Sequence, residues 1–295
     1  MYLLMIYFLL SVSVAAQDFQ ILEYGKITKY FPLTEINTYE WQGYMWNKDR
    51  SNTQLYDYDN KINLIAVTFQ NRGKSGPRNH KKYTFIYDDN NNLIEMNYFN
   101  YIDSSWEVSE KTMFSYNEND YCSAIEEYWY RWEDSTFVKQ FMINNYYYSD
   151  NKLAQTLARR WDASKYVNFS NQLFYWDEYD KLILSESQKW EEDNWVNFKR
   201  IVFFDDKKEN LSYHTEQIWM DSTWVDKIKI VKYYSEDGLL QETILSVWYN
   251  ANWFEESKWI NQYNPNNSIA EQYFFSKGTE VWSKKRKLEY IYREK

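Results

Sequence analysis

With a single cysteine, Cys122, the chain cannot be held by internal disulfides. Two histidines, His80 and His214, exclude a multi-histidine metal centre. Six glycines and three prolines in 295 residues exclude collagen-like and Gly/Pro-rich disordered chains. No GxxxxGK[ST] or GxGxxG stretch is present, so phosphate-cradling loops are missing too. A mean hydropathy of -0.79 excludes a polytopic helical membrane protein. Cations are fewer than anions, 34 Lys+Arg against 43 Asp+Glu, and the net charge of -9 disfavours nucleic acid as a partner. The one basic run, Lys284-Lys285-Arg286-Lys287, reads as solvated side chains on a strand.

What is abundant is aromatic: 30 Tyr, 17 Phe and 15 Trp make up 21% of the chain. Such a composition favours strands. The first sixteen residues carry no charge, and their apolar stretch ends at Val14-Ala15-Ala16. That pattern predicts a secretory signal at 1–16, with export to the extracellular space, the cell surface or the periplasm. The stretch is too short for a membrane helix, so no integral membrane segment is expected after signal cleavage.

The aromatics recur. Trp132, Trp161, Trp190, Trp219 and Trp248 stand 29 residues apart, and a second column follows five behind: Trp106, Phe137, Tyr166, Trp195, Trp224, Trp253 and Trp282. A third column runs Tyr58, Tyr87, Tyr116, Tyr147, Trp176, Asp205, Tyr234, Tyr263 and Tyr292. A fourth, mostly aliphatic, runs Leu64, Leu93, Ala124, Leu153, Leu182, Leu211, Leu240 and Ile269. Comparing columns places a two-residue insertion in Asn117 to Ser123. Registered columns of this kind mark a tandem repeat.

Within each period, strand-like runs alternate with two turns. One turn is rich in Asp and Asn, as in Asp88-Asp89-Asn90-Asn91-Asn92, where Asx side chains bond their own backbone. The other is short and polar, as in Met220-Asp221-Ser222-Thr223. Each repeat is therefore a β-hairpin. The predicted fold is all-β: tandem antiparallel hairpins of about 29 residues, nine units and eighteen strands, forming an elongated, twisted or coiled repeat sheet. Residues 17–45 lie outside the columns and are expected to form an N-terminal cap, with the array over 46–295. Lys111, Arg200, Lys229, Lys258 and Lys287 occupy equivalent positions, facing Glu95, Glu126, Glu242 and Glu271 in the partner strands, and such rows can pair across a sheet.

The Tyr/Asp-rich turn before a Leu, seen as Tyr56-Asp-Tyr58-Asp-Asn-Lys-Ile-Asn-Leu64 and Ile86-Tyr87-Asp-Asp-Asn-Asn-Asn-Leu93, resembles the tyrosine-aspartate (YD, or Rhs-like) repeats. The chain is more similar still to exported bacterial proteins built of degenerate Trp/Tyr hairpin repeats, some of them secreted by the type IX route. Choline- and glucan-binding hairpin repeats are a weaker likeness. The resemblance implies a secreted or surface-displayed β scaffold and carries over no catalytic residue.

No chemistry competes with this reading. Cys122 lacks an orienting His/acid context, the carboxylates recur in turns, and the Asp-rich turns match no calcium-loop spacing. The expectation is a non-catalytic protein without cofactor or metal. It would bind a protein or cell-envelope partner, or alternatively a carbohydrate through Trp161, Trp190, Trp195, Trp219, Trp224, Trp248 and Trp253. Exposure of those rings separates a sugar platform from a buried clamp.

Overall fold

The computed structural model describes residues 33–73, 76–206, 209–278 and 281–292. The predicted signal segment lies outside them. Eighteen strands follow one another in chain order. The first six are β1 (Leu33–Trp41), β2 (Trp46–Tyr58), β3 (Leu64–Gly73), β4 (Gly76–Tyr87), β5 (Leu93–Ile102) and β6 (Ser105–Tyr116). Next come β7 (Cys122–Arg131), β8 (Thr136–Tyr147), β9 (Leu153–Asp162), β10 (Lys165–Trp176), β11 (Leu182–Glu191) and β12 (Asn194–Asp206). The last six are β13 (Leu211–Met220), β14 (Thr223–Tyr234), β15 (Leu240–Tyr249), β16 (Asn252–Tyr263), β17 (Ile269–Lys277) and β18 (Trp282–Tyr292).

Each strand pairs antiparallel with its neighbours in sequence, and β1 pairs with both β2 and β18. The sheet is thus a closed barrel, which corrects the expected elongated, open repeat sheet. Closure follows from register. Most pairings contain a register shift, such as those between Glu216 and Gln217 and between Tyr233 and Tyr234. Bulges bend strands and add twist, and the accumulated stagger lets the last strand meet the first. Eighteen strands spaced about 4.8 Å apart and tilted by about 40° enclose a wall roughly 35 Å across.

The exclusion of an integral membrane segment is corrected by the same finding. It counted apolar helices, and although among the described residues no helix is long and apolar enough to cross a bilayer, that says nothing of strands. A closed barrel leaves no unpaired edge, which is the backbone condition for strands to cross.

Two turn types alternate around the barrel. Asp103-Ser104, Glu192-Asp193, Asp221-Ser222 and Asn250-Ala251 close two-residue hairpins with positive φ at both positions, the type I′ geometry. At the opposite end, five-residue turns are held by their first side chain. Asp59 Oδ1 accepts from the backbone N–H of Lys61 and Asn63, and Asn117 Oδ1 does the same for Asn119 and Tyr121. The turn at 117–121 has the same length as its counterparts, so the extra residues lie elsewhere. They sit at 132–135, a four-residue connection where the other corresponding hairpins from β3–β4 to β15–β16 have two. Cys122, not Ala124, therefore stands in the aliphatic column, and Tyr130, not Trp132, stands in the Trp column opposite Phe137.

Candidate functional site

Register assigns every side chain to one of two faces. On one face lie Ile36, Tyr56, Val67, Phe69, Phe85, Leu288 and Tyr290, which pack into a single cluster drawn from strands on both sides of the β1–β18 seam. Convergence of so many strands marks this as the concave, inward face. Further round, the same face carries Ile201, Ile228, Ile230 and Leu245. Its ionisable groups feel burial. Burial pushes His214 down to about 4, with the Lys232 charge adding to the effect. Burial likewise raises Glu127 to about 7, reinforced by the Glu110 charge, and Glu110 is itself raised by burial. Lys199 is lowered by burial, opposed by Glu216, whose carboxylate lies 3.3 Å away.

The outward face carries the Trp columns and a polar band. Trp190 and Trp195 meet edge to face at 4.9 Å across a type I′ turn, Trp219 and Trp224 at 5.0 Å, and Trp248 and Trp253 at 5.0 Å. Trp161 pairs in the same way with Tyr166, at 4.9 Å. All seven expected binding tryptophans are half-buried, each with one ring face or edge spent on its partner. Between this belt and the far ends of the strands run ion pairs, Lys111–Glu95 at 3.0 Å, Lys258–Glu242 at 2.8 Å and Lys287–Glu271 at 2.7 Å. Amide rungs complete the band: Gln155 donates to Asn171, Asn171 to Gln188, and Gln188 to Asn197.

Two places on the outward face are open. The first is a groove of about 670 Å³ that crosses β14 to β17. Lys229, Val231 and Tyr233 form one side, Ile244 and Ser246 its floor, and Trp253, Phe254, Glu255, Lys277 and Gly278 the other side. Tyr233 is 41% exposed; Phe254 borders the groove, but its ring pairs with that of Tyr249 on the inward face. Glu255 and Lys277 neutralise each other at 2.6 Å. Of the seven tryptophans, only Trp253 lines this groove. Periodicity could not distinguish it from the rest, because the groove depends on side chains that differ between repeats.

The second is the irregular turn at 132–135. Trp132 is 54% exposed, its ring held edge to face against Tyr130 at 4.8 Å. Arg131 clamps the turn by bonding both carboxylate oxygens of Asp134, and Thr136 Oγ1 donates to the same group at 2.7 Å. Hydrogen bonds from Arg131 and Thr136 hold the Asp134 carboxyl well below the usual range. Phe137 is also open nearby, whereas Trp129, paired with Glu110, belongs to the inward face. Among the described residues, no group of three or more His, Cys, Asp or Glu is placed to hold a metal ion. Burial raises the Cys122 thiol to about 11, opposed by its bond to the Ala124 carbonyl, and so away from a nucleophilic thiolate.

No model of a known protein family matches the chain, and no curated protein matches it. Solved structures do show likeness. A porin-like protein from Bacteroides uniformis has 9% identity and a TM-score of 0.42, covering 89% of this chain and 98% of its own. A porin-like protein from Bacteroides vulgatus has 10% identity and a TM-score of 0.25, covering 88% of this chain and 98% of its own. A Bacteroides fragilis protein of unknown function has 18% identity and a TM-score of 0.35, covering 41% of this chain and 91% of its own.

Proposed function

We propose that the chain is a non-catalytic, exported β-barrel of the cell surface or envelope, which binds a cell-envelope polysaccharide on its outward face. The observation that carries this reading is the groove across β14 to β17. There the rings of Tyr233 and Trp253 stand beside hydrogen-bonding groups from Ser246, Glu255 and Lys277. A saccharide offers the matching chemistry, apolar C–H faces for the rings and hydroxyls for the polar groups. The remaining Trp pairs act as junction clamps, each contributing roughly 0.5–1.5 kcal/mol beyond its buried area.

The test is intrinsic tryptophan fluorescence of the purified chain, titrated with envelope polysaccharides. A saturable shift is expected, lost in Trp253→Ala and retained in Trp190→Ala. A shift retained in Trp253→Ala, or absent altogether, rejects the groove.

A second reading rests on the turn at 132–135. Its exposed Trp132 and Phe137, with Arg131 beside them, have the composition of a protein-binding hot spot. No shift with any polysaccharide, together with a fluorescence response to an envelope protein fraction that is lost in Trp132→Ala and kept in Trp253→Ala, would favour it.

A further inference from the structure

We propose that the groove across β14 to β17 selects acidic saccharides, with Lys229 as the residue that reads the carboxylate; this rests on the saccharide reading of the groove. The argument comes from a break in the ion-pair band. At three repeats the lysine bonds a glutamate sixteen positions earlier: Lys111 with Glu95, Lys258 with Glu242 and Lys287 with Glu271. Lys229 is the equivalent lysine of β14, and the position sixteen before it holds Tyr213.

The ammonium of Lys229 consequently lies over the Tyr213 ring at 4.6 Å and, among the described residues, makes no ion pair. Lys229 forms the β14 edge of the groove, and its flexible ammonium stands within reach of it. The other two charges there, Glu255 and Lys277, cancel at 2.6 Å, so the groove keeps one uncompensated positive charge on a protein of net charge -9. A ring-bearing ligand with a carboxylate is the complement: a sugar ring for Tyr233 and Trp253, and a uronic acid group for Lys229. A charge-assisted bond of this kind is stronger than a neutral one.

The test titrates the purified chain with an oligogalacturonate hexamer and with its methyl ester, which keeps the rings and removes the charge. The free acid is expected to bind at least tenfold more tightly than the ester, with the preference shrinking as salt is raised. Lys229→Met should abolish the preference. Tyr213→Glu, which restores the missing partner, should abolish it as well while leaving Lys229 in place. Circular dichroism of both variants confirms an unchanged fold. Equal binding of acid and ester, or a preference that survives both substitutions, overturns the role of Lys229 and leaves the saccharide reading standing. Binding of neither hexamer, with a neutral polysaccharide still shifting the fluorescence, likewise overturns acid selection alone. Binding of no saccharide at all overturns both.

Discussion

In most repeats a tyrosine near one end reaches back over the sheet to the repeat before it. Tyr87 donates to the Leu64 carbonyl at 2.9 Å, Tyr116 to Leu93 at 2.8 Å, Tyr147 to Cys122 at 2.7 Å, Tyr263 to Leu240 at 2.7 Å and Tyr292 to Ile269 at 2.8 Å. Trp176 does the same through its indole N–H, to Leu153 at 2.9 Å. These carbonyls lie beside register shifts, where the ladder is irregular, so the phenol supplies a partner that the neighbouring strand does not. Tyr263→Phe should therefore cost about 1 kcal/mol in chemical denaturation, with packing intact. The tyrosine column is plain in the sequence, but its bond is not, because the acceptor is a backbone atom whose position depends on a bulge. The inward-facing ionisable groups were equally hidden. Glu127 keeps its proton to about 7, against an ordinary 4.5. From about pH 4.5 to about pH 7 the unfolded chain has lost this proton and the folded one holds it, so this group makes stability fall as pH rises. His214 works the other way: lowered from 6.5 to about 4, it makes stability rise between those values. Glu127→Gln should accordingly exceed the parent in stability by a margin that widens from pH 5 to pH 7.5, measured by urea unfolding.

Among the hairpins, the two-residue turns depart from the usual turn chemistry. Type I′ turns prefer Asn-Gly, yet here Asp221-Ser222 adopts φ of 48° and 62°, and Glu192-Asp193 adopts 47° and 60°. A side chain in the left-handed region costs on the order of 1 kcal/mol. Replacing Asp221-Ser222 by Asn-Gly should raise stability by about 1 kcal/mol, seen as an increased melting temperature. Ile62 carries the same burden at φ 66°, in the fourth position of its five-residue turn, where Gly238 and Asn91 stand in other repeats. Strand boundaries were largely legible, since the Trp and Tyr columns bracket strands such as β14 closely. The insertion was legible in size but not in place. Trp132 mimicked the 29-residue rhythm by lying two positions beyond the true member, Tyr130, and only the pairing of Tyr130 with Phe137 reveals the substitution.

For the whole molecule, closure is the property that the sequence pattern left open. Composition, period and strand number are all the same for a ribbon and a ring; what differs is the stagger added by bulges, which no residue type announces. Across the seam, Glu40 pairs with Arg286, though 246 positions separate them in the chain. A Glu40→Cys/Arg286→Cys variant should form an internal disulfide on mild oxidation, detected as faster migration on a non-reducing gel. An open ribbon would leave those thiols apart. Cys122 does not interfere, because its half-buried thiol is raised to about 11. The unpaired lysine of the groove was invisible for a related reason: it arises where Tyr213 stands in place of the glutamate that its siblings carry. Closure also fixes the copy number. A solenoid can gain or lose a unit at either end and remain the same object, whereas here one more hairpin would widen the ring and alter the curvature at every junction at once. Gene-level expansion of this array is thus penalised globally, and diversity between relatives is expected in side chains and turn lengths rather than in how many hairpins they carry.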